Sequence, residues 1–303
     1  MRILITGGTG LIGRALCDSL TADGHAAVVL SRSPEGAAGF PEGVAVVGWD
    51  SRTLGPWAEQ LGRCDGVVHL AGESIAGGRW TRARKRRIRD SRVRTSGLLA
   101  DAFAAAAERP GVLVQGSGID YYGEGGDGVL TEDCPAGDGF LPEVAVEWEG
   151  ASAPVEELGV RRAVIRTAPV LSDQGGLLPL MALPVRLFAG GRVGSGEQWM
   201  PWIHLADQVG AIRFLLEHPT ASGPFNLCSP EPARNRAFVA ALGAALGRPV
   251  WLPAPAFAVR LLLGEMGELA LGSKRALPAR LLELGFCFRF PRLDQALADL
   301  LGG

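Results

Sequence analysis

The sequence predicts an α/β fold in which a doubly wound parallel sheet is followed by a smaller C-terminal lobe. Short apolar runs alternate with stretches of helical periodicity as far as Arg166, and a glycine-rich turn joins the first of these runs to the first helix. Beyond Ser172 the pattern changes to Gly- and Pro-rich loops with scattered helices. We therefore expect one domain over residues 1–172 and a smaller lobe over 173–303, with the chain returning to the first domain near 200–230.

The elements of the first domain follow in regular order. Arg2–Thr6 is a short apolar run, which predicts a strand, and Leu11–Ala22 repeats apolar residues at helical spacing. Further strands are predicted at Ala26–Leu30, Gly43–Val47, Gly66–Leu70, Val112–Gln115 and Arg162–Arg166, and further helices at Arg82–Ala107 and Glu143–Glu157. Strands that alternate with helices indicate a parallel sheet covered on both faces.

Composition excludes several classes of protein. The 303 residues are 47% hydrophobic and 20% charged, with a net charge of −2, so no overall field attracts nucleic acid or a membrane. The basic run from Arg79 to Arg94 is expected to be a solvated helix face, because no aromatic stacking pattern accompanies it. The five cysteines are scattered, which predicts a cytoplasmic protein with no structural metal.

The turn after the first strand carries the glycine spacing of a dinucleotide site, Gly8-x-Gly10-x-x-Gly13. The first glycine permits the tight turn, Gly10 lets the backbone approach a pyrophosphate, and Gly13 allows close packing of the helix on the sheet. Because the turn lies between a strand and a helix, the spacing predicts a Rossmann-type domain with phosphate at the helix N-terminus.

The end of the second strand selects the cofactor. An NAD site places a carboxylate there to accept hydrogen bonds from the ribose, whereas a 2′-phosphate requires arginine. Ser31-Arg32-Ser33 follows this strand, and the first carboxylate is Glu35. A hydroxyl and a guanidinium group suit a phosphate, so the sequence favours NADP(H).

These motifs resemble those of the extended short-chain dehydrogenases/reductases, the class of sugar-nucleotide epimerases and dehydratases. The likeness rests on "TGGTGLIG", "DGVVHLAG" and "WIHLAD", and it narrows at "YYGEGGDGVLTEDCPAGDGFL" and "PARLLELGFCF" to uncharacterised proteins described as nucleoside-diphosphate-sugar-epimerase-like or cell-division-inhibitor-like. The resemblance extends from Met1 to about Leu300. It implies that NADP(H) is held by the following residues: Gly7, Thr9, Gly10, Leu11, Ile12, Gly13, Ser31, Arg32, Leu70, Ala71, Gly72, Arg92 and Val170.

The catalytic pair of the wider superfamily is missing. There a tyrosine and a lysine four residues later share one helix face, and the lysine lowers the pKa of the phenol. No Tyr-x-x-x-Lys occurs in this chain, and the resemblance places Phe140 and Val144 at the two positions. Four other side chains are candidates for proton transfer: Ser117, Tyr121, Tyr122 and Glu73. His204 is expected to be structural, with Asp207 as the N-cap of the following helix.

Two functions remain open at this point. The first is an NADP(H)-dependent oxidoreductase or epimerase-like enzyme that manages protons without the Tyr–Lys pair and acts on a small molecule. The second is a non-catalytic NADP(H)-binding protein with a regulatory or redox-sensing role. A homodimer is expected by analogy with related folds, and neither nucleic acid nor a membrane is expected as a partner.

Overall fold

The computed structural model describes residues 1–302, and its central feature is a seven-stranded sheet. The strands are β1 Arg2–Thr6, β2 Ala26–Ser31, β3 Val44–Gly48, β4 Gly66–His69, β5 Val112–Gly118, β6 Val129–Leu130, β7 Arg161–Thr167, β8 Val170–Ser172, β9 Gly175–Gly176, β10 Trp199–Met200, β11 Ile203–His204, β12 Gly223–Leu227, β13 Ala233–Arg234 and β14 Arg275–Ala276. The α-helices are α1 Leu11–Ala22, α2 Arg82–Ala105, α3 Phe140–Ala151, α4 Leu177–Arg186, α5 Leu205–Glu217, α6 Asn235–Leu246, α7 Ala256–Leu263, α8 Glu268–Leu271, α9 Ala279–Glu283 and α10 Leu293–Leu301.

The seven strands lie in the order β12-β7-β5-β4-β1-β2-β3, and every neighbouring pair is parallel. The chain reverses its direction of winding between β1 and β4. In open parallel sheets a ligand crevice forms at such a reversal, beyond the carboxyl ends of the strands. The Rossmann-type doubly wound sheet that the sequence predicts is therefore confirmed, and its topology locates the crevice.

Alternate residues of the first strand reach opposite faces of the sheet. Ile3 and Ile5 pack in one core cluster with Leu16 of α1 and Ile212 of α5, whereas Leu4 packs in a second cluster on the other face. The second cluster contains Val28, Leu99 and Phe103, of which the last two belong to α2. Both faces are thus covered by helices, which explains why the strands are almost wholly apolar.

A smaller core lies in the C-terminal half, around Trp202, Phe238, Leu242 and Leu297. Three short ribbons frame it or connect it to the main sheet: β11-β8-β9, β10-β13 and β14-β6. The β14-β6 ribbon pairs Arg275 with Val129, so the last part of the chain is hydrogen-bonded to a loop of the first part.

In the main sheet and in α1–α3, three elements differ from the sequence prediction by more than two residues. The strand β12 was not predicted, although Gly223–Leu227 pairs with β7 over its whole length. The helix predicted at Glu143–Glu157 starts earlier, at Phe140, and ends at Ala151, where a 3₁₀ helix over Ala153–Leu158 follows. Pro154 explains this end, because proline provides no backbone donor to continue an α-helix. Lastly, β5 runs on to Gly118, beyond the predicted Gln115.

None of the helices within residues 1–302 combines the length and the apolar character that a membrane crossing requires. The longest, α2, is also the most highly charged.

Candidate functional site

The glycine turn lies at the carboxyl end of β1 and is held by its own backbone. The amide of Gly10 donates to the carbonyl of Gly7 at 3.0 Å, and Gly7 has a φ of +71°, which favours glycine. Gly10 is the N-cap of α1, and no side chain caps the helix. The first-turn amides therefore have no intrahelical acceptor and form an anion site.

The space around the turn explains two of its glycines. A Cβ atom on Gly13 would stand 2.4 Å from the carbonyl oxygen of Gly7 and 2.5 Å from Cα of Gly8. A Cβ atom on Gly7 would stand 2.8 Å from the carbonyl group of Leu70, at the end of β4. Both positions face backbone that cannot move aside, so the close approach of turn, helix and sheet requires glycine.

A chain of hydrogen bonds supports the floor of the crevice from below. The hydroxyl of Thr6 accepts from the amide of Ala71 at 3.2 Å and lies 2.6 Å from Nδ1 of His69. The hydroxyl of Thr95 donates to the carbonyl of Ser91 at 2.8 Å and lies 3.3 Å from Nε2 of the same histidine. These contacts fit one tautomer, in which Thr6 donates to Nδ1 and Nε2–H donates to Thr95.

His69 is fully buried, and burial lowers its pKa from 6.5 to about 3. The imidazole is therefore neutral at physiological pH, as the tautomer requires. Because Thr6 binds the amide of Ala71, the neutral ring fixes the position of Leu70 and Ala71 beside the glycine turn.

The crevice at the reversal point has a volume of about 800 Å³ and extends from the glycine turn to the ends of β2 and β3. Of the residues that the resemblance assigns to cofactor binding, eight line it: Gly7, Thr9, Gly10, Ser31, Arg32, Leu70, Ala71 and Gly72. Its charged lining consists of six arginines and two carboxylates: Arg14, Arg32, Arg52, Arg86, Arg87, Arg94, Glu73 and Asp90. The crevice is thus strongly cationic.

Three of these arginines make neither an ion pair nor a side-chain hydrogen bond within the described chain. Arg94 lies 3.1 Å from Asp90, Arg87 lies 3.8 Å from Glu73, and Arg14 donates to the backbone of Thr9 and Ala38. The guanidinium groups of the other three make no ion pair or hydrogen bond to any residue in 1–302, and they belong to Arg32, Arg52 and Arg86. Unpaired guanidinium groups around a glycine turn are suited to a ligand with several phosphate groups.

The remaining predicted cofactor residues lie just outside the crevice. Arg92 donates from Nη1 to the carbonyl of Glu73 at 2.9 Å and stacks on the ring of Trp148. Its guanidinium group would lie 3.1 Å from a Cβ atom on Gly72, so it supports this wall from behind. Leu11 contacts the β9 ribbon, whose partner strand contains Val170.

Burial lowers the pKa of Arg92 to about 10, while the nearby carboxylates of Glu73 and Asp120 counteract this shift. The guanidinium group therefore remains charged at neutral pH. The ring of Trp148, on which Arg92 stacks, would lie 3.2 Å from a Cβ atom on Gly116, so the carboxyl half of β5 lies close to this wall of the crevice.

The predicted catalytic residues lie in two places. Glu73 is on the wall of the crevice, where its Oε1 accepts from Arg84 at 2.9 Å. Ser117 is 6% exposed and donates to Oε1 of Glu149 at 2.6 Å, while Arg166 forms two hydrogen bonds of 3.0 Å to the same carboxylate. The hydroxyl proton of Ser117 is therefore already used within the protein, and the proposed donation to a substrate carbonyl would have to displace this bond.

Tyr122 has a structural position, which argues against its proposed catalytic role. Its hydroxyl donates to Asn226 at 2.7 Å and accepts from Arg166 at 3.0 Å, and only 3% of the residue is exposed. Burial raises the pKa of this phenol to about 12, so it is a poor proton donor. Tyr121 is half-buried and packs its ring 3.4 Å from the guanidinium carbon of Arg166. Tyr121 thus stacks on the buried guanidinium group of Arg166, and Tyr122 hydrogen-bonds to it.

A second cavity, of about 700 Å³, lies on the other side of the loop that follows Glu73. It is formed by the end of β5, the start of α3 and the segment from α7 to β14, with Trp80 at one side. Phe140, which occupies the position expected for the tyrosine, lines it and packs edge-on against Trp80 at 5.3 Å. Five carboxylates and two cations line this cavity: Asp120, Glu124, Asp138, Glu265, Glu268, Arg260 and Lys274.

Sequence reasoning did not assign a role to either partner of the ion pair in this cavity. Nζ of Lys274 lies 3.0 Å from Oδ1 of Asp120. One signal was present, because the chain has only two lysines among its 30 basic residues. The other lysine, Lys85, forms an ion pair with Glu265 at the rim of the same cavity.

The prediction for the helix after β11 was wrong in one detail. The N-cap of α5 is His204, whose Nδ1 accepts from the amide of Ala206 at 3.1 Å. Asp207 instead accepts from the backbone amides of Arg289 and Phe290, at 2.7 and 2.9 Å. His204 is 4% exposed and thus has the structural role that the sequence predicts.

Comparison with known proteins places these features in a family. The model of the NAD dependent epimerase/dehydratase family matches residues 3–228, and a domain of unknown function (DUF1731) matches residues 254–300. The chain is 38% identical over 303 residues to the chloroplastic epimerase family protein SDR39U1 homolog of Arabidopsis thaliana, covering 99% of this chain and 87% of that protein. It is 35% identical to the epimerase family protein YfhF of Bacillus subtilis, covering 99% and 98% of the two chains.

A solved structure is similar over its full length. The crystal structure of human epimerase family protein SDR39U1 (isoform 2) with NADPH matches with a TM-score of 0.90, at 34% identity and with 100% of both chains covered. Sugar-nucleotide enzymes such as UDP-glucuronic acid 4-epimerase from Bacillus cereus match with a TM-score of 0.79 at 15% identity, which shows a shared fold. By its family match and its full-length relatives, the chain belongs to the NAD dependent epimerase/dehydratase family.

Proposed function

We propose that the protein binds NADP(H) in the cationic crevice and uses it to oxidise or reduce a small molecule. The observation that carries this proposal is the set of three unpaired guanidinium groups, of Arg32, Arg52 and Arg86, around a glycine turn with free helix amides. The NADPH named in the structure of the human relative supports the same choice of cofactor.

The residues of the crevice fit the parts of the cofactor. The turn Gly7–Gly13 would receive the pyrophosphate, because its amides and the lack of Cβ atoms allow close approach. Ser31 and Arg32, with Arg52 beside them, would hold the 2′-phosphate, since no carboxylate stands at the end of β2. The bound dihydronicotinamide would supply the hydride, and the second cavity would hold its acceptor.

Glu73 and Arg92 would then position the nicotinamide end of the crevice. Glu73 is fixed by Arg84, and Arg92 supports Gly72 from behind. Neither needs to transfer a proton for this role. The predicted contacts of Leu11, Ile12, Gly13 and Val170 with the cofactor belong to the same proposal.

Titration of the nucleotide-stripped protein with NADPH and NADH tests this function. Arg32→Ala should weaken NADPH binding by about tenfold to 100-fold, the scale of a hydrogen bond to a charged group, and leave NADH binding nearly unchanged. Arg63→Ala is a matched control, because Arg63 is exposed and lies outside the crevice. Equal binding of both nucleotides by the wild type, or an unaffected Arg32→Ala variant, would contradict the proposal.

A second candidate is a non-catalytic NADP(H)-binding protein with a regulatory or redox-sensing role. It is favoured by Phe140 and Val144, which are chemically inert at the positions of the expected tyrosine and lysine. This candidate predicts tight NADPH binding with no turnover of any carbonyl compound, and a change in partner affinity when the cofactor is oxidised. The first candidate predicts turnover.

For the location of the protein we propose the cytoplasm, whose reducing conditions fit the five free cysteines of the chain.

For oligomeric state we propose a homodimer, supported by apolar side chains of α7 that are more than 70% exposed, namely Phe257, Leu261 and Leu262. Sedimentation of the cofactor-loaded protein tests it, and a monomer would contradict it.

A further inference from the structure

The chain's second lysine is nearly buried in the second cavity and makes few hydrogen bonds. The side chain of Lys274 is 13% exposed, and its only polar partner among residues 1–302 is the carboxylate of Asp120, at 3.0 Å. An ammonium group has three donors, so two are unused. Because Lys274 lines the cavity, these two donors are available to water or to a ligand there.

The position of this ion pair relates it to the crevice. Asp120 follows Ser117 by three residues at the carboxyl end of β5, and its charge acts on Arg92 behind the crevice wall. Phe140 lines the same cavity as Lys274. The second cavity therefore adjoins the proposed nicotinamide end. Among the charged side chains that line it, Lys274 is the one of low exposure that carries a transferable proton.

The charges of the cavity restrict what can enter. Five carboxylates line it against one lysine and one arginine, and the lysine is already paired with Asp120. A nucleotide diphosphate would bring two further negative charges next to these carboxylates, and like charges at such a site are unfavourable. A neutral or cationic compound meets no such barrier.

We propose that Lys274, held by Asp120, is the proton donor for the reduction of a neutral or cationic carbonyl compound in this cavity. The inference rests on the proposed NADP(H) function. The carbonyl carbon gains the hydride from the dihydronicotinamide, and its oxygen gains the proton that leaves Nζ. An N–H bond breaks, an O–H bond forms, and the resulting amine takes a proton from water.

Three para-substituted benzaldehydes of different charge test the substrate class. The nitro compound is neutral, the trimethylammonio compound is cationic and the carboxylate is anionic. With NADPH, the wild type should reduce the first two with a kcat/KM about tenfold above that of the carboxylate. Preference for the carboxylate, or tight binding of UDP-glucose in calorimetry, would overturn the charge argument.

Variants of Lys274 test the proton donor. Lys274→Met should lower kcat for the neutral aldehyde about 100-fold, the usual contribution of a general acid, while NADPH affinity and Tm stay unchanged. Lys274→Arg should lower kcat by the same factor, because a guanidinium group keeps the charge but does not give up a proton. Arg63→Met is the control, because Arg63 is exposed and lines neither cavity, and it should retain kcat.

The possible failures are distinguishable. If Lys274→Arg turned over the aldehyde at close to the wild-type rate, the positive charge alone would be needed at this position. That result would overturn the proposal that Lys274 donates the proton. If Lys274→Met does not fold, Asp120→Asn should still lower kcat about tenfold, and full activity of that variant would overturn the inference. Tight NADPH binding with no reduction of any aldehyde would overturn this inference alone, whereas absence of NADPH binding would overturn the proposed function as well.

Discussion

The two adjacent cavities of this protein have opposite charge. The crevice beyond β1 is lined by six arginines and two carboxylates, whereas the cavity beside Phe140 is lined by five carboxylates and two cations. They are separated by the loop after Glu73 and the start of α2. Under the proposed function, the phosphates of the cofactor bind in the cationic crevice, and the acidic cavity is left for a neutral or cationic group.

The two cavities also differ in how their charged groups are held. Three arginines of the crevice make neither an ion pair nor a side-chain hydrogen bond in the described chain, while Lys274 and Asp120 in the second cavity form a pair of low exposure. Exposed single charges act over distance and are screened by salt. A pair of low exposure is screened much less.

The largest effect is expected from a substitution that disrupts cofactor binding in the crevice and leaves the second cavity unchanged. Gly13→Ala should weaken NADPH binding by about 100-fold, because the new Cβ atom meets backbone at 2.4 Å and the turn must move. Gly97→Ala in α2 is the control, since nothing lies within 4 Å of its Cβ position. Calorimetric titration measures both variants, and normal NADPH affinity of Gly13→Ala would show that the turn does not hold the cofactor.

The next largest effect is expected on the stability of the protein in acid, through His69 beneath the crevice. The pKa of His69 is about 3 in the folded state against 6.5 in an unfolded chain, so below pH 6.5 only the unfolded state takes up this proton. Stability should therefore fall by about 1.4 kcal/mol per pH unit below 6.5 and level off near pH 3. Urea unfolding from pH 7 to 4.5 measures this slope. A His69→Gln variant with the same slope as the wild type would exclude His69 as its cause.

A smaller effect is expected behind the second cavity. Tyr122→Phe leaves Asn226 without its donor and should cost about 2 kcal/mol of unfolding free energy, with NADPH affinity unchanged. Tyr121→Phe is the matched control, because the Tyr121 hydroxyl makes no hydrogen bond within residues 1–302 and its ring stays on Arg166. If both variants were equally stable in urea, the buried network around Arg166 would contribute little.

The smallest effect is expected from salt, which should weaken binding in the crevice more than binding in the second cavity. Raising the salt concentration about tenfold should weaken NADPH binding roughly fivefold, because the arginines of the crevice are screened. The KM of the neutral benzaldehyde should change by less than about twofold, since it carries no charge. Equal salt dependence of both quantities would mean that the two cavities do not differ in the way their charges suggest.

Sequence reasoning succeeded where the signal is local. The glycine turn, Ser31-Arg32 and the periodicity of each strand or helix are local patterns, and β1 and α1 have the predicted bounds. The acidic cavity could not be predicted, because Asp120 and Lys274 belong to distant parts of the chain and meet only through the tertiary fold.

Tyr122 illustrates the same limit. Its sequence neighbours suggested a phenol near a substrate, but its partners are Asn226 on β12 and Arg166 on β7, and β12 itself was not predicted. The early start of α3 at Phe140 is another case, because packing of Phe140 on Trp80 stabilises a turn that helix periodicity does not indicate.

The ribbon that joins β14 to β6 has a consequence for how such proteins diversify. Every residue that lines the crevice lies between Gly7 and Thr95, whereas the second cavity also needs the segment from Arg260 to Lys274. Under the proposed function, changes near the C-terminus can therefore alter the substrate while the coenzyme is held as before. Coenzyme preference and substrate preference can drift independently over evolution, because different stretches of the gene encode them.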